Sequence, residues 1–412
     1  MKRISSFFLA AVLLLGSLTC LPFTVSAAGL TYTEGDFQYQ WDQNGATLTW
    51  YIGDSGDVVI PSTLGGHPVT KIGIAAFSRF SITSVQIPDS VTVIGDNAFY
   101  GCEKLTHVEL PSGVTTIGRD AFAGSGLTSI VIPKGVTRIE EGTFSGCDDL
   151  ASVELPSGLT LIGDSAFANC GSLKSIKIPS GVTEIRDDAF RCSGLTSIVI
   201  PDSVRWLGDH VFIWCEDLKS AVIGNGVQAI GSHAFYDCPN LKRVTLGKSL
   251  TKIETRAFDS CVSLTSIVIP ESVTTIGTSA FSGCTGLTSV EIPSGVTKIG
   301  DGVFAYCDAL TDIYCLALKQ PESWNASSWR NACHATVHWG KAMPKPAPSC
   351  GDLGGNGQID STDYMLLKRY CLGTFGLTEE QKAVADVNYD GDINSLDYML
   401  VKRHVLGTFT IV

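Results

Sequence analysis

The sequence predicts a β-solenoid of about eleven short rungs, followed by a small all-α module made of two related halves. Three observations predict it. A phenylalanine with Ile or Leu five positions before it recurs eleven times at a nearly constant interval, at Phe77, Phe99, Phe122, Phe144, Phe167, Phe190, Phe212, Phe235, Phe258, Phe281 and Phe304. Ahead of these phenylalanines runs an apolar–polar–apolar triplet, closed in most units by proline, as in Val108-Glu109-Leu110-Pro111. Towards the C-terminus, two segments opening at Asp352 and Asp386 repeat an Asp/Asn-rich loop followed by an apolar and basic stretch. Fixed periods of this kind mark units that cannot bury their apolar faces alone and must stack.

The elements follow in chain order. Lys2 and Arg3, the apolar run Phe7 to Leu15 and the small-residue site Val25-Ser26-Ala27 make residues 1–27 a secretory signal peptide, set aside from the fold. The mature chain is therefore expected outside the cell, in a compartment that permits disulfides. No other stretch approaches the ~18–20 apolar residues of a membrane span. Residues 28–60 are expected to form an N-terminal β cap, because Phe37-Gln-Tyr39-Gln-Trp41 and Ala46-Thr-Leu48-Thr-Trp50 alternate as the two strands of a hairpin.

Residues 61–340 hold the rungs and a C-terminal cap. In each unit the strand triplet has one buried face, proline ends it by removing a donor, and a Val-x-x-Ile-Gly-x-x-Ala-Phe segment supplies the apolar residues of the return path. Fourteen cysteines in 412 residues are too few for a small disulfide-stapled fold. Eight of them, Cys102, Cys147, Cys170, Cys215, Cys238, Cys261, Cys284 and Cys307, stand three positions after the phenylalanine, and Cys192 stands two after. A position reused in this way is a packing position, and these residues read as buried thiols acting as small hydrophobes. Cys315 and Cys333 are the pair placed to staple the C-terminal cap, with bridged and free forms left equally open. Trp324, Trp329 and Trp339 read as closing that end. The pattern C-x-x-L-x-x-I/V-x-I/L-P-x-x-V-x-x-I-G-x-x-A-F, over about Val58 to Trp339, resembles the BspA-like class of leucine-rich repeat.

In leucine-rich repeats the outward strand positions usually meet partners. Here they are Gln86, Glu109, Val131, Glu154, Lys177, Val199, Val222, Thr245, Val268, Glu291 and Tyr314, mostly preceded by Ser: a flat, neutral surface without an aromatic stripe. Trp206 and Trp214 are the outliers, at positions where other rungs carry residues such as Thr, Lys, Gly or Asp. They read either as packing over the Cys215 rung or as an exposed aromatic contact for a partner.

Residues 341–349 form a Pro-rich, extended linker, and residues 350–412 form the last domain. Ca²⁺ loops need oxygen ligands at positions 1, 3, 5, 7 and 12, with Gly at 6 for the turn. The second loop is complete with Asp386, Asn388, Asp390, the Asp392 carbonyl and Asp397. The first has Asp352, Asn356, the Gln358 carbonyl and Asp363, but Gly354 at position 3, so it should bind Ca²⁺ more weakly unless Asp360 or water fills the gap. Helices are expected over Tyr364 to Leu372 and Tyr398 to Leu406, each stopped by a glycine, with a short one opened by the capping box Thr378-x-x-Gln381. The duplicated loop and helix closely resemble a type I dockerin over about Asp352 to Leu406. That resemblance implies a Ca²⁺-dependent partner, the cohesin module of a scaffoldin in a cellulosome. It also implies contacts through loop positions 10 and 11 and a basic pair on each helix: Ser361, Thr362, Lys368 and Arg369, then Ser395, Leu396, Lys402 and Arg403.

Composition and motifs exclude several classes. With 29 Lys+Arg against 41 Asp+Glu the net charge is −12, and no basic face is present to meet nucleic acid. The seven histidines form no metal-ligand spacing, no G-x-S-x-G elbow occurs, and the acids are scattered instead of paired across a cleft. An enzyme is not expected. The reading is a secreted, non-catalytic cellulosome component whose repeats contact a protein, cell-surface or plant-wall ligand. The alternative is a polysaccharide-degradation component whose repeats bind or hydrolyse carbohydrate.

Overall fold

A computed structural model describes residues 30–325, 328–343, 351, 353–354, 358–374, 376–387 and 392–405. The expected signal peptide and most of the Pro-rich linker lie outside the described residues. The chain divides at Leu195/Thr196 into two compact units.

The first unit opens with three antiparallel strands, Tyr32–Glu34, Phe37–Asp42 and Gly45–Tyr51. Tyr51 is buried, and its ring meets Phe77 at 5.2 Å, so the hairpin covers the apolar end of the stack with an aromatic residue. From there the repeats run as two parallel ladders. One carries the sequence-predicted triplets: Gly56–Val59 pairs with Ile82–Gln86, which pairs with His107–Glu109, and Ser129–Val131 pairs with Ser152–Glu154. The other is made from the return path, in short strands such as Val93–Ile94, Thr116–Ile117, Leu161–Ile162 and Glu184–Ile185. In both ladders the inward residue is apolar and buried, half-buried Val153 excepted, as the alternation requires.

The second unit repeats the plan. Ser197–Ile200, Ser220–Ile223 and Arg243–Thr245 pair in parallel, as do Ser289–Ile292, Asp312–Cys315 and Thr336–Trp339. The solenoid has about 13 turns, against the eleven expected. The phenylalanine count misses two turns at the C-terminal end, because Asp312–Cys315 and Thr336–Trp339 continue the strand ladder with no phenylalanine following them in the repeated place.

The phenylalanines are the spine of the core. Rings Phe77 to Phe190 in the first unit, and Phe212 to Phe304 in the second, stack with centroids 5.1–5.7 Å apart and planes within 19° of parallel. That spacing is the ~4.8 Å rung repeat plus a lateral offset, which keeps the ring quadrupoles from facing directly. The cysteine position has a second role beside packing. Cys102 Sγ donates to the Phe77 carbonyl of the preceding rung at 3.0 Å, and Cys147, Cys238, Cys261, Cys284 and Cys307 repeat the contact at 3.0–3.1 Å. The thiol therefore satisfies a buried carbonyl while filling the space of a small hydrophobe. Cys315 is buried and Cys333 half-buried, and both are free thiols, so the staple left open by the sequence is not made.

The second position after each phenylalanine has a positive φ, including Gly101 at 66°, Cys192 at 52° and Trp214 at 57°. The C-terminal cap buries Trp324 and Trp329, whose rings meet edge to face at 5.3 Å, and Trp324 Nε1 donates to the Val296 carbonyl. Two of the three end tryptophans are thus core residues, consistent with capping. Beyond residue 350 lie helices α1 (Ser361–Cys371), α2 (Glu379–Ala385) and α3 (Ser395–Val405), around their own core of Leu353, Leu367, Leu377, Val384, Ala385, Val387 and Val401. Both long helices start one turn earlier than their apolar pattern suggests, at Ser361 and Ser395 instead of Tyr364 and Tyr398. In α1 the cause is Asp360, which caps the helix as part of a capping box with Asp363. No helix among the described residues is long and apolar enough to cross a membrane.

Candidate functional site

The most chemically distinctive residues of the C-terminal module are two carboxylates, Asp363 and Asp397, both fully buried. Each stands at position 12 of its loop and on the first turn of α1 or α3. Asp363 accepts from the Gly354 and Asp360 N–H groups, both at 2.6 Å. Asp397 accepts from Val387 at 2.7 Å and Asn394 at 2.9 Å. Asp360 and Asn394 hold the same place relative to these two carboxylates, so the described ends of the two loops repeat one contact. A buried carboxylate is costly without charge compensation or donors; here two backbone N–H groups satisfy and orient each one.

The donor chemistry fits a hard cation. Asp363, Asp386 and Asp397 supply carboxylates, and Gln358 and Asp392 supply the position-7 carbonyls; no nitrogen or sulfur ligand occupies a loop position. Asp352, Asn356, Asn388 and Asp390 lie outside the described residues, and among the described residues no three His, Cys, Asp or Glu side chains converge. Asp360 Oδ1 is the N-cap acceptor for the Thr362 N–H at 2.6 Å.

Ser361 and Thr362 are exposed on the first turn of α1, and Lys368 and Arg369 each follow about two helical turns later, so the four share one helix face. Ser395 and Lys402 hold the same offset on α3; the side chains of Leu396 and Arg403 lie outside the described residues. One feature is not read from the sequence alone. Tyr364 and Tyr398, at equivalent places on the two helices, stack at 5.1 Å with their hydroxyls hydrogen-bonded at 2.7 Å, and Lys368 Nζ sits 5.9 Å over the Tyr364 ring. This pair joins the two halves where α1 meets α3. The shared hydrogen bond lowers the Tyr364 pKa and raises that of Tyr398.

The profile of the BspA type leucine-rich repeat region matches residues 70–193 and 183–311 in six copies, more than half of the chain. The chain belongs to the BspA-type leucine-rich repeat proteins. The type I dockerin domain matches residues 350–406, so the paired loops and helices are a dockerin. Type I dockerins are known to bind calcium, and the module implies a cohesin partner; neither kind of module is a catalytic one. Among solved structures the chain is similar to a leucine rich cell surface protein from Faecalibacterium prausnitzii, at 30% identity and TM-score 0.45, over 77% of this chain and 99% of that one. It is also similar to a leucine-rich repeat protein from Bacteroides ovatus, at 27% identity and TM-score 0.42, over 75% and 99%. The pneumococcal vaccine antigen PcpA is similar at 20% identity and TM-score 0.50, over 76% and 99%. No protein of curated function matches.

In the repeats, the outward strand residues face solvent from Gln86 to Val268, with Val131 60% and Val268 80% exposed. At the C-terminal end the chain itself covers the row. Glu291 accepts from the Met343 N–H at 2.6 Å, and Tyr314 stacks on His338 at 4.7 Å while His338 Nε2 meets Asp312 Oδ1 at 2.7 Å. The two outlying tryptophans are not one platform. Trp206 is the outward residue of the return-path strand Trp206–Leu207, whereas Trp214 sits on the positive-φ turn with its backbone N–H donating to the Tyr236 carbonyl.

Proposed function

We propose that this protein is an exported, non-catalytic cellulosome component: residues 350–412 dock it into a scaffoldin cohesin in the presence of Ca²⁺, and residues 61–340 present a contact surface to a protein, cell-surface or plant-wall ligand. The observation that carries the reading is the duplicated dockerin, whose halves repeat the buried carboxylate, the N-terminal helix turn and the basic pair in the same register. Ser361, Thr362, Lys368 and Arg369 form one cohesin-facing set, and Ser395, Leu396, Lys402 and Arg403 the other. Thr362 against Leu396 makes the two sets unequal, so one orientation should be preferred by a given cohesin. Bound Ca²⁺ would supply positive charge at the loop oxygens, and Asp363 and Asp397, on the first turns of α1 and α3, would tie each helix to its loop. Export through the signal peptide of residues 1–27 places the chain where scaffoldins are found. A panel of cohesins tested against the mature chain, with Ca²⁺ and with EDTA, tests this. Binding to at least one cohesin that EDTA abolishes is expected.

A further inference from the structure

Trp206 has no aromatic counterpart in its ladder: the outward residues of the following rungs are Ala229, Lys252, Thr275 and Lys298. Its side chain is 60% exposed, although Leu207 beside it is buried. One rung on stands Ala229, in register with Lys252. The small side chain leaves a notch between the indole and the lysine. A hollow of about 430 Å³ opens there, with Arg205, Gln228 and Glu254 also on its walls.

We propose that this hollow is a binding site for a neutral polysaccharide, one pyranose ring stacking on Trp206. A pyranose has an apolar C–H face and a rim of hydroxyls that both donate and accept. The notch offers a flat apolar ring beside donors (Arg205, Lys252, Gln228) and acceptors (Gln228, Glu254). With Asp209 on the same wall, two cations face two carboxylates, so the site has no net charge with which to select a polyanion or polycation. The ~4.8 Å rung repeat is close to the length of one pyranose unit, so a glycan chain running along the ladder would meet Trp206, Ala229 and Lys252 in turn. The proposal rests on the exported, ligand-facing role given to the repeats above.

The test is affinity electrophoresis of the mature chain through gels holding xylan, xyloglucan, galactomannan or mixed-linkage β-glucan, together with sedimentation on microcrystalline cellulose. The wild-type chain is expected to bind at least one of these. Trp206→Ala should weaken that binding about tenfold or more, the scale of a lost aromatic contact with its neighbours, while Trp206→Tyr retains most of it. Trp214→Ala should bind as wild type, and all variants should keep the wild-type circular dichroism and cohesin capture. Cohesin capture with no polysaccharide retained overturns the glycan site while leaving the docking reading intact. Equal loss in Trp214→Ala, or undiminished binding in Trp206→Ala, also overturns it.

Discussion

Replacing Phe258 by alanine removes one ring from the middle of the spine. The side chain is fully buried between Phe235 at 5.1 Å and Phe281 at 5.4 Å. Transfer and cavity terms for a buried Phe→Ala change amount to about 3–5 kcal/mol, and two ring contacts are lost within that change, so about 4 kcal/mol is the working figure. Because rungs touch only their neighbours, the loss should fall on the adjacent rungs first and not spread evenly over the stack. The natural control is Val268→Ala, at a position 80% exposed, which should change stability by less than about 0.5 kcal/mol. Urea unfolding of the mature chain, followed by far-UV circular dichroism at constant Ca²⁺, reads the difference, and hydrogen exchange locates it. A cost for Phe258→Ala under about 1 kcal/mol, well below the range for a buried ring, or one equal to Val268→Ala, would refute the ring stack as the main support of the core.

Four further outcomes are expected. Burial pushes the thiols of Cys102, Cys307 and Cys315 up to about 12 and Cys147 up to about 11, from an ordinary 9.0. A disulfide reagent at about pH 8 should therefore label exposed Cys371 before the buried thiols, which react only after unfolding, although burial and Asp397 raise the Cys371 thiol as well and its Sγ donates to the Asn394 carbonyl. The sign of the linkage is alkaline: stability is full below the unfolded value near 9 and is lost as pH rises towards about 12, because the unfolded chain ionises first; a flat alkaline limb would contradict the buried ladder. Calorimetry should resolve one tighter and one weaker Ca²⁺ event, with Asp397→Asn removing the tighter, since Gly354 leaves the first loop a ligand short; two equal tight events would count against it. Thr378→Ala removes the α2 cap, where the Thr378 side chain accepts from the Gln381 N–H and the Gln381 side chain accepts from the Thr378 N–H, and should cost the dockerin about 1 kcal/mol, read by thermal melting in Ca²⁺.

Much of this is legible in the sequence because repetition amplifies weak signals. One Val-Glu-Leu-Pro is ambiguous, but eleven phenylalanines at one interval, eight of them in Ala-Phe, define a ladder, and nine cysteines in nearly one slot read as packing. The two extra turns are not legible from the phenylalanine count, because Asp312–Cys315 and Thr336–Trp339 keep the strand without the phenylalanine that marks a rung. Apolar periodicity places the long helices one turn late because it begins at Tyr364, whereas the backbone turns helical as soon as Asp360 caps it. The Tyr364–Tyr398 stack has a signal in the equal offset of each tyrosine from its loop, yet an equal offset alone does not say that two halves pack face to face. The notch beside Trp206 is a property of two neighbours, a large residue on one rung and Ala229 on the next, and no single-position comparison reveals it.

The central claim is tested most directly by surface-immobilised cohesins exposed to the mature chain in Ca²⁺ and then in EDTA. Saturable binding to at least one cohesin, abolished by EDTA and by the double change Asp363→Ala with Asp397→Ala, is the predicted result. Failure of the Ca²⁺-loaded chain to bind any cohesin, or binding that EDTA leaves unchanged, would contradict the account.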